Sequence, residues 1–225
     1  MMYVVTGSSS GLGYSLARNL LKHGDVIGLS RRNRDVVIED DPRFDFTHIY
    51  ADLSLSDTFA ENSNTIKCLK RKLQDNELTL VLNAGVFYSG TSRLDKDRRT
   101  KLFWVNLFSI IDLIQQMQKL KLKRIFFINS ISGLIGQKTQ HEYASSKHGL
   151  MGYLRSLINE AKEKPYDVMA INPGGINTEL WSEYPGIDNT TFLCPEELAD
   201  IIVNLILLKG RVFIPSFTIL PEADL

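Results

Sequence analysis

The sequence predicts a doubly wound α/β fold, in which one parallel sheet of about seven strands carries helices on both faces. Three observations lead to this prediction. Short β-rich runs alternate with longer amphipathic runs along the chain of 225 residues. The β-rich runs are almost continuously apolar, as in parallel strands that are covered on both sides. A glycine-rich turn joins the first β-rich run to the first amphipathic run, and successive units of this kind imply right-handed crossovers.

Each element is predicted from its local pattern. Strands are expected where β-rich apolar residues run together, and helices where apolar residues recur with helical spacing. The last helix begins with Pro195 and two glutamates and ends at Lys209 before a glycine, which is a favourable start and stop. The predicted strands are Met2–Val5, Val26–Ser30, Ile49–Ala51, Leu78–Asn83, Arg124–Asn129, Val168–Asn172 and Val212–Pro215, and the predicted helices are Gly13–His23, Ser56–Asn76, Asp97–Lys119, Tyr143–Lys164 and Pro195–Lys209.

The composition predicts one well-buried domain over residues 1–225. Lys plus Arg and Asp plus Glu both number 26, so no net field favours nucleic acid or an anionic membrane as a partner. No apolar run reaches the ~18 residues of a membrane span, and no leader pattern is present. Cys68 and Cys194 are too few for a disulfide framework and form no zinc motif. We therefore expect a cytoplasmic protein with reduced thiols and no metal site.

Gly7, Gly11 and Gly13 lie between the first predicted strand and the first predicted helix. A glycine accepts positive φ and lets the backbone approach a phosphate closely, because it has no Cβ. The helix that follows directs its free N–H groups and its dipole at the anion. A glycine-rich turn alone is a weak signal, but its position between a strand and an amphipathic helix predicts a dinucleotide site.

Tyr143 and Lys147 are four positions apart at the start of a predicted helix, so both side chains leave one face of it. A free tyrosine has a pKa near ~10, and a nearby ammonium or cationic ring favours its phenolate. The sequence therefore predicts that Lys147 and a bound nicotinamide lower the pKa of Tyr143. Ser130 directly follows the fifth predicted strand, thirteen residues before the tyrosine. Tyr-x-x-x-Lys also occurs by accident in many helices, and Ser132 and Ser145 are competing serines nearby.

Together these motifs resemble those of the short-chain dehydrogenase/reductase family. The family's Thr-Gly-x-x-x-Gly-x-Gly matches residues 6–13, its Asn-Ala-Gly matches residues 83–85, and its helix-four asparagine matches Asn106. Its Pro-Gly segment beside the nicotinamide matches residues 173–174, with Thr178 beyond. The resemblance covers most of the chain and implies a single Rossmann-type domain that binds NAD(P). The implied cofactor contacts are Gly7, Ser9, Ser10, Gly11, Leu12, Gly13, Ser30, Arg31, Asp52, Leu53, Asn83, Ala84, Gly85, Tyr143, Lys147, Pro173, Gly174, Ile176 and Thr178.

The resemblance also implies roles for four catalytic residues. Tyr143 exchanges a proton with the substrate oxygen while hydride moves between the substrate carbon and the nicotinamide. Ser130 hydrogen-bonds the same oxygen, Lys147 holds the nicotinamide ribose, and Asn106 keeps a water in place that links Lys147 to solvent. The implied reaction is reduction of a carbonyl to an alcohol or the reverse, on a small ketone or a 3-oxoacyl thioester. The alternative is a catalytically silent, NADP(H)-sensing regulator with the same fold.

The cofactor preference is predicted from the end of the second strand. An acidic residue about 20 positions beyond the glycines would bind a ribose 2′-hydroxyl, but this chain has Ser30 and Arg31 there. Ser30 can donate a hydrogen bond, and Arg31 presents donors and a charge to a phosphate. We therefore expect NADP(H) to be favoured. Binding of NAD(H) remains an alternative, because Arg31 and Arg32 would also suit a solvated loop and Asp35 would bind a ribose hydroxyl. Asp52 is expected to contact adenine or to cap a turn.

The least patterned segment, Glu179–Leu193, is the expected position of a substrate lid. Its side chains Trp181, Tyr184 and Phe192 would line an apolar substrate pocket or simply pack the lid on the domain. The run Arg93–Lys101 is expected to be a solvated loop and helix start, although it would also suit an acidic carrier protein.

Two histidines and two helices complete the sequence-based expectations. His141 and His148 flank the tyrosine and are expected at the surface or behind the site, because no carboxylate pattern makes them metal ligands. The family dimerises through its fourth and fifth helices, here near Phe103–Met117 and Tyr143–Leu157. The apolar content of both helices suits burial on more than one side, so we expect a homodimer or homotetramer.

Overall fold

The computed structural model of the protein describes residues 1–34, 43–90, 94–161, 163, 166–184, 186–208 and 213–224. Asp35, Arg93, Lys164, the helix stop at residues 209–210 and Val212 lie outside the described residues. None of the described helices combines the length and the apolar character that crossing a membrane requires. Cys68 and Cys194 are both free thiols.

Seven strands in the described part of the chain form one parallel sheet, as the sequence predicts. The sheet order is β3-β2-β1-β4-β5-β6-β7, so the chain adds strands on one side of β1 and then on the other. The point where the direction reverses lies between β1 and β4, and such a point opens a crevice at the carboxyl ends of the strands. The strands are β1 (Met2–Thr6), β2 (Asp25–Ser30), β3 (Phe46–Tyr50), β4 (Leu78–Leu82), β5 (Leu122–Ile128), β6 (Asp167–Pro173) and β7 (Ser216–Ile219).

Helices cover both faces of the sheet, and β1 shows how the two sides of the core are divided. Val4 is buried on the side that packs against α2, α4 and α5, whereas Tyr3 and Val5 are buried on the side of α1 and α6. Alternate residues of a strand point to opposite faces, so one strand contributes to both halves of the core. The helices are α1 (Gly11–Leu20), α2 (Asn64–Leu73), α3 (Lys96–Phe103), α4 (Ser109–Met117), α5 (His141–Ala161) and α6 (Pro195–Leu207).

The predicted strand Val212–Pro215 is wrong, because β7 begins only after the proline. Proline has no N–H to donate to a neighbouring strand and is therefore uncommon inside a sheet. Pro215 contributes only its carbonyl, which accepts a hydrogen bond of 3.0 Å from the Ala170 N–H. Pairing with β6 then runs from Ser216 to Ile219.

Most other predicted elements differ from the structure by one to three residues at an end, such as β3, which begins at Phe46 and not at Ile49. Two predicted helices differ more. The predicted helix Ser56–Asn76 is shortened at its start, because the Ser63 hydroxyl accepts a hydrogen bond of 3.2 Å from the Ile66 N–H and caps α2 there. The predicted helix Asp97–Lys119 is divided: a π-helical turn at Trp104–Phe108 separates α3 from α4. This turn carries Asn106, and π-helical turns inside α-helices are frequent at functional sites.

Candidate active site

A cavity of about 1100 Å³ lies at the carboxyl ends of the strands, on the crevice between β1 and β4. Every cofactor contact predicted from the sequence lines this cavity, and so does Ser130. The structure therefore brings together residues that are spread from Gly7 to Thr178 in the chain. Asn106 is the exception among the predicted site residues, because it does not line the cavity.

The glycine turn after β1 is shaped so that side chains are excluded from it. Gly7 and Gly11 have positive φ angles of 71° and 50°, which disfavour residues with a Cβ. A Cβ at Gly13 would lie 2.2 Å from the carbonyl oxygen of Gly7 and 2.5 Å from Nδ2 of Asn83. The close packing brings the backbone of the turn to the first residues of α1 and leaves a cradle of backbone N–H groups.

The amino end of α1 leaves this cradle available to an anion. Ser10 occupies the capping position, but its side chain makes no capping hydrogen bond to the helix. The first N–H groups of a helix have no partner within the helix, and they carry the positive end of its dipole. This arrangement fits the diphosphate of a dinucleotide, because the donors converge where a Cβ is excluded.

The turn is braced against the neighbouring strand by Thr6 and Asn83. The Thr6 hydroxyl oxygen accepts hydrogen bonds of 3.0 Å from the N–H groups of Asn83 and of Ala84. Nδ2 of Asn83 donates to the carbonyl of Thr6 over 3.2 Å. The carboxyl ends of β1 and β4 are thereby joined directly beneath the cradle.

The end of β2 places two exposed arginines beside the cradle. The Arg32 guanidinium lies 3.4 Å from the Ser10 hydroxyl and 3.9 Å from the carboxylate of Glu179, and Arg31 also lines the cavity. The Ser30 hydroxyl differs from the expectation that it donates to a ligand. It donates instead to the carbonyl of Arg32 over 2.7 Å, so its proton is used within the protein.

Asp52 follows β3 and closes a short turn at the same end of the cavity. Its Oδ1 accepts hydrogen bonds from the N–H and the hydroxyl of Ser54, at 3.0 and 2.7 Å. Burial alone would raise the pKa of Asp52, but these hydrogen bonds and the charges of Arg31 and Lys101 together hold it below its ordinary value. An ionised carboxylate in a turn therefore borders the cavity. Asp52 caps this turn, as one of the two sequence-based alternatives has it, and its contact with adenine stays a prediction.

Tyr143 and Lys147 leave the same face of α5 and line the other end of the cavity. The Lys147 ammonium lies 5.8 Å from the centre of the Tyr143 ring, and Lys147 is only 3% exposed. It sits over Gly85, where an added Cβ would come within 3.7 Å of the ammonium nitrogen. The glycine of the Asn-Ala-Gly segment thus lies directly against the buried ammonium.

The pKa values of these two groups differ from the sequence-based expectation. Burial raises the pKa of Tyr143 to about 12, and its hydrogen bond with the Ser130 side chain only partly opposes this rise. Burial lowers the pKa of Lys147 to about 8. The expected lowering of the tyrosine pKa by Lys147 is therefore not supplied by the chain alone, because the cost of burying a phenolate outweighs it.

Asn106 acts behind the site and not within it. Its Oδ1 accepts a hydrogen bond of 2.8 Å from the Val86 N–H, and its Nδ2 donates to the Val86 carbonyl at 2.9 Å and to the Ser146 hydroxyl at 3.2 Å. The side chain thus holds the backbone next to Gly85, beside the Lys147 ammonium. These hydrogen bonds give Asn106 a positioning role, and its predicted part in keeping a water between Lys147 and solvent stays a prediction.

Phe87, Gln137 and Gln140 are among the cavity-lining residues that sequence reasoning missed. Phe87 is buried, and its ring packs against that of Tyr143 with centres 4.8 Å apart. Gln137 and Gln140 precede α5, and their amides lie within hydrogen-bond distance of the Ser132 hydroxyl. No motif marks these residues, since a phenylalanine after Asn-Ala-Gly-Val or a glutamine in a loop carries no distinctive pattern.

The remaining candidates fall into two groups. Trp181, Tyr184 and Phe192 of the predicted lid all line the cavity. The Ser145 hydroxyl instead donates to the carbonyl of its own helix at His141, and His148 is exposed on the same helix.

Comparison with known sequences identifies the family. The family model for short chain dehydrogenase matches residues 2–186. A dehydrogenase/reductase SDR family protein 7-like of Drosophila melanogaster is 28% identical, over 95% of this chain and 72% of that protein. A 3-oxoacyl-(acyl-carrier-protein) reductase of Rickettsia bellii (strain RML369-C) is 27% identical, over 90% of this chain and 87% of that protein.

Solved structures share the fold. A 4-hydroxyisoleucine dehydrogenase complexed with NADH has a TM-score of 0.80 at 26% identity, covering 98% of this chain and 97% of that chain. An alcohol dehydrogenase from the archaeon Thermococcus sibiricus complexed with 5-hydroxy-NADP has a TM-score of 0.80 at 18% identity, covering 96% and 94%. With the family model matching most of the chain, this protein belongs to the short-chain dehydrogenase/reductase family of oxidoreductases, which act on CH–OH and C=O groups.

Proposed function

We propose that this protein is an NADP(H)-dependent oxidoreductase that reduces a carbonyl to an alcohol, or catalyses the reverse, with Tyr143 as the general acid or base. The observation that carries the proposal is the buried Lys147 ammonium beside Tyr143, in the same cavity as the glycine cradle. Burying an ammonium without a carboxylate partner is unfavourable, and such a group is retained where function requires it. When bound, the nicotinamide would supply or accept the hydride.

In the direction of reduction, Tyr143 donates its phenolic proton to the carbonyl oxygen as the carbonyl carbon gains a hydride. With a pKa raised to about 12, the hydroxyl is protonated at neutral pH and ready to donate. Ser130 hydrogen-bonds the same oxygen and stabilises the charge that develops on it. Lys147 and the positive ring of a bound nicotinamide would together favour the resulting phenolate, whose cost of burial the Ser130 hydrogen bond alone does not offset.

The preference for NADP(H) is supported by the charges at the adenosine end of the cavity. Arg31, Arg32 and Lys101 all line this end, whereas β2 ends without a carboxylate. Guanidinium groups bind phosphate through several donors at once, so a 2′-phosphate would be favoured there over a 2′-hydroxyl. Asp52 lies at the same end, but its Oδ1 is engaged by Ser54.

For the substrate we propose two classes of carbonyl compound, and for the oligomeric state a homodimer or a homotetramer. Small ketones and 3-oxoacyl thioesters are both carried forward as substrates, since a 3-oxoacyl-(acyl-carrier-protein) reductase is among the similar proteins. A homodimer or homotetramer is proposed through α4 and α5, next to which Phe108 is 43% exposed. Size-exclusion chromatography with light scattering measures the assembly directly.

The catalytic proposal is tested by Tyr143→Phe. Removing only the hydroxyl keeps the ring that packs against Phe87, so the variant is expected to fold and to retain NADPH binding. Its turnover of any ketone that the wild-type protein reduces is expected to fall by at least ~100-fold, because general acid catalysis is lost. Oxidation of NADPH is followed at 340 nm. Unchanged turnover would remove Tyr143 from the mechanism, and a wild-type protein that binds NADPH but turns over no carbonyl would support the sensing regulator.

The cofactor proposal is tested by Arg31→Ala. The variant is expected to weaken NADPH binding by about tenfold while NADH binding stays within about twofold, because only the 2′-phosphate contact is lost. Dissociation constants for both dinucleotides are measured by titration calorimetry. Arg155→Ala, an exposed arginine on α5, is the matched control. Equal losses for both dinucleotides would contradict a 2′-phosphate contact by Arg31.

A further inference from the structure

We propose that the substrate is an uncharged ketone whose reacting carbonyl lies between an aromatic ring and a second oxygen atom. This inference rests on the proposed function and names the substrate class of the same site. It follows from two unlike walls that border Tyr143: an aromatic wall of Phe87, Trp181 and Tyr184, and an amide wall of Gln137 and Gln140.

The aromatic wall is built around Phe87. The centre of its ring lies 4.8 Å from that of Tyr143, 5.1 Å from that of Trp181 and 5.2 Å from that of Tyr184. The contacts are edge-to-face or tilted, which are favourable arrangements for aromatic rings. Phe87 therefore packs directly on the phenol ring, and Trp181 and Tyr184 of the lid pack on Phe87.

The polar atoms of this wall are turned away from a ligand. The Tyr184 hydroxyl donates to the carbonyl of Phe87 over 3.0 Å, and the Trp181 indole N–H donates to the carbonyl of Ile176 over 2.7 Å. With both donors satisfied by backbone, the wall offers ring surface to the cavity. Such a surface binds a flat apolar group. An aromatic group would bind more tightly, because it also makes stacked or edge-to-face contacts with the rings.

The amide wall lies on the side of Ser130. The Ser132 N–H donates to the Ser130 hydroxyl oxygen over 3.1 Å, and the Ser132 hydroxyl lies 2.9 Å from Oε1 of Gln137 and 3.2 Å from Oε1 of Gln140. Both glutamines line the cavity and are only half-buried. Two hydrogen bonds thus connect the serine beside the reacting oxygen to the amides.

The single hydroxyl proton of Ser132 determines which hydrogen-bonding groups of the two glutamine amides remain available to a ligand. A hydroxyl has one proton, so it donates to one glutamine oxygen only. The shorter contact assigns this proton to Gln137, which leaves the NH₂ group of Gln137 as a donor for a ligand. A donor next to the reacting carbonyl suits a second oxygen of the substrate, which accepts hydrogen bonds as a ketone or a hydroxyl.

A strained residue links two of the loops that carry these walls. Thr139 has a φ of 65°, a conformation that costs a residue other than glycine about 1 kcal/mol. It is held by the loop that follows Phe87: the Gly90 N–H donates to the Thr139 carbonyl over 3.1 Å, and the Ser89 and Thr139 hydroxyls are 3.1 Å apart. These contacts join the loop that follows Phe87 to the loop that carries Gln137 and Gln140.

The charges around the site favour a neutral substrate. Among the described residues that line the cavity, the arginines and Lys101 lie at the adenosine end near Asp52, and Lys147 lies beneath Tyr143. The lid contributes the carboxylates Glu179 and Glu183 to the lining. Glu179 is paired with Arg32 over 3.9 Å, which leaves Glu183 as the lid carboxylate that would oppose a substrate carboxylate. Arg98, whose charge acts on Tyr184, does not line the cavity.

The test compares four ketones with the NADPH-loaded protein. 1-Phenyl-1,2-propanedione carries both proposed features, propiophenone lacks the second oxygen, 1-cyclohexyl-1,2-propanedione lacks the aromatic ring, and benzoylformate adds a negative charge. In the expected reaction, the carbon next to the phenyl ring gains the hydride, its oxygen gains the proton from Tyr143, and the product is 1-hydroxy-1-phenylpropan-2-one. The position of the new hydroxyl is read by NMR.

Variants separate binding by the walls from the different intrinsic reactivities of the ketones. Gln137→Leu is expected to lower kcat/KM for the phenyl dione by about tenfold and to leave that for propiophenone within about twofold. Trp181→Leu is expected to lower kcat/KM for the phenyl dione by about fivefold relative to the cyclohexyl dione. Asn204→Leu on α6 and Phe213→Leu, at exposed positions outside the cavity, are the controls and are expected to change neither ratio.

The outcomes distinguish this inference from the proposed function. Equal losses for both phenyl ketones in Gln137→Leu, reduction at the other carbonyl, or equal turnover of benzoylformate would overturn the substrate class while leaving the oxidoreductase intact. Absence of turnover for every carbonyl tried, with NADPH bound, would overturn the proposed function and this inference together.

Discussion

The two ends of the cavity are built in different ways. The nucleotide end rests on the carboxyl ends of β1 and β4, which Thr6 and Asn83 join by hydrogen bonds of 3.0 to 3.2 Å. The substrate end is assembled from three loops, which follow β4, β5 and β6 and meet through side-chain contacts such as that of Tyr184 with the Phe87 carbonyl. One end is fixed by the sheet, and the other is fixed by contacts between loops.

This difference separates what the family shares from what is particular to this chain. A phosphate cradle depends on backbone geometry, so it needs glycines at set positions and tolerates little change. A substrate site depends on the side chains that loops present, and loops tolerate substitution more readily than the elements they connect. Changes at the nucleotide end should therefore be severe and general, and changes at the substrate end mild and selective.

The largest effect is expected for Gly13→Ala. The new Cβ would lie 2.2 Å from the Gly7 carbonyl oxygen, so the backbone of the cradle must shift. We expect the free energy of unfolding to fall by about 3 kcal/mol and the NADPH dissociation constant to rise by at least ~100-fold. Denaturant unfolding and titration calorimetry measure the two quantities.

Gly152→Ala on α5 is the matched control for that variant. Nothing lies within 4 Å of an added Cβ at Gly152, so the substitution should stabilise the helix by about 1 kcal/mol and leave NADPH binding unchanged. If Gly13→Ala bound NADPH as well as the wild-type protein does, the cradle would not be where the diphosphate lies.

A change of intermediate size is expected where the two ends meet, at Lys147. Burial lowers the pKa of its ammonium from 10.5 to about 8, so the folded protein is destabilised while the group is charged. Lys147→Met keeps most of the aliphatic volume and removes the charge. The variant should raise the free energy of unfolding of the cofactor-free protein by up to about 3 kcal/mol at pH 7, while abolishing catalysis.

The pH dependence tests the cause of that gain. Below pH 8 the lysine is charged in both the folded and the unfolded chain, and the full cost of burial applies. Between pH 8 and 10.5 the folded chain releases the proton first, so the cost declines and the advantage of Lys147→Met should disappear. A gain that stayed constant over this pH range would mean that packing, and not charge, limits stability here.

The nucleotide end could be predicted from the sequence because its physics is local. The glycine turn needs residues without a Cβ at three nearby positions, and the strands around it are continuous apolar runs, so spacing alone identifies both. The sheet and its helices followed from the same periodicities. The exceptions were ends of elements, such as β7, where the requirement for a backbone N–H at Pro215 outweighed the apolar pattern.

The substrate end could not be predicted in the same way, because its residues meet only in the folded chain. Phe87 contacts Tyr184, which is 97 positions away, and no local pattern encodes that pairing. The pKa of Tyr143 also escaped prediction, because the neighbouring lysine is visible in the sequence whereas the depth of burial is not. Burial depends on the whole packing arrangement and decided the direction of the shift.

The smallest effect is expected for Tyr184→Phe, which removes the hydrogen bond between the lid and the Phe87 carbonyl and keeps the aromatic ring. Losing one neutral hydrogen bond costs about 1 kcal/mol, so kcat/KM for the preferred ketone should fall by about fivefold. NADPH binding should not change, because the nucleotide end does not depend on this contact. Tyr50→Phe, at a position 61% exposed on β3, is the control. Steady-state kinetics and calorimetry on the same preparations measure the two effects. An equal loss of NADPH affinity would show that the lid also contacts the dinucleotide. The two ends of the cavity would then be coupled.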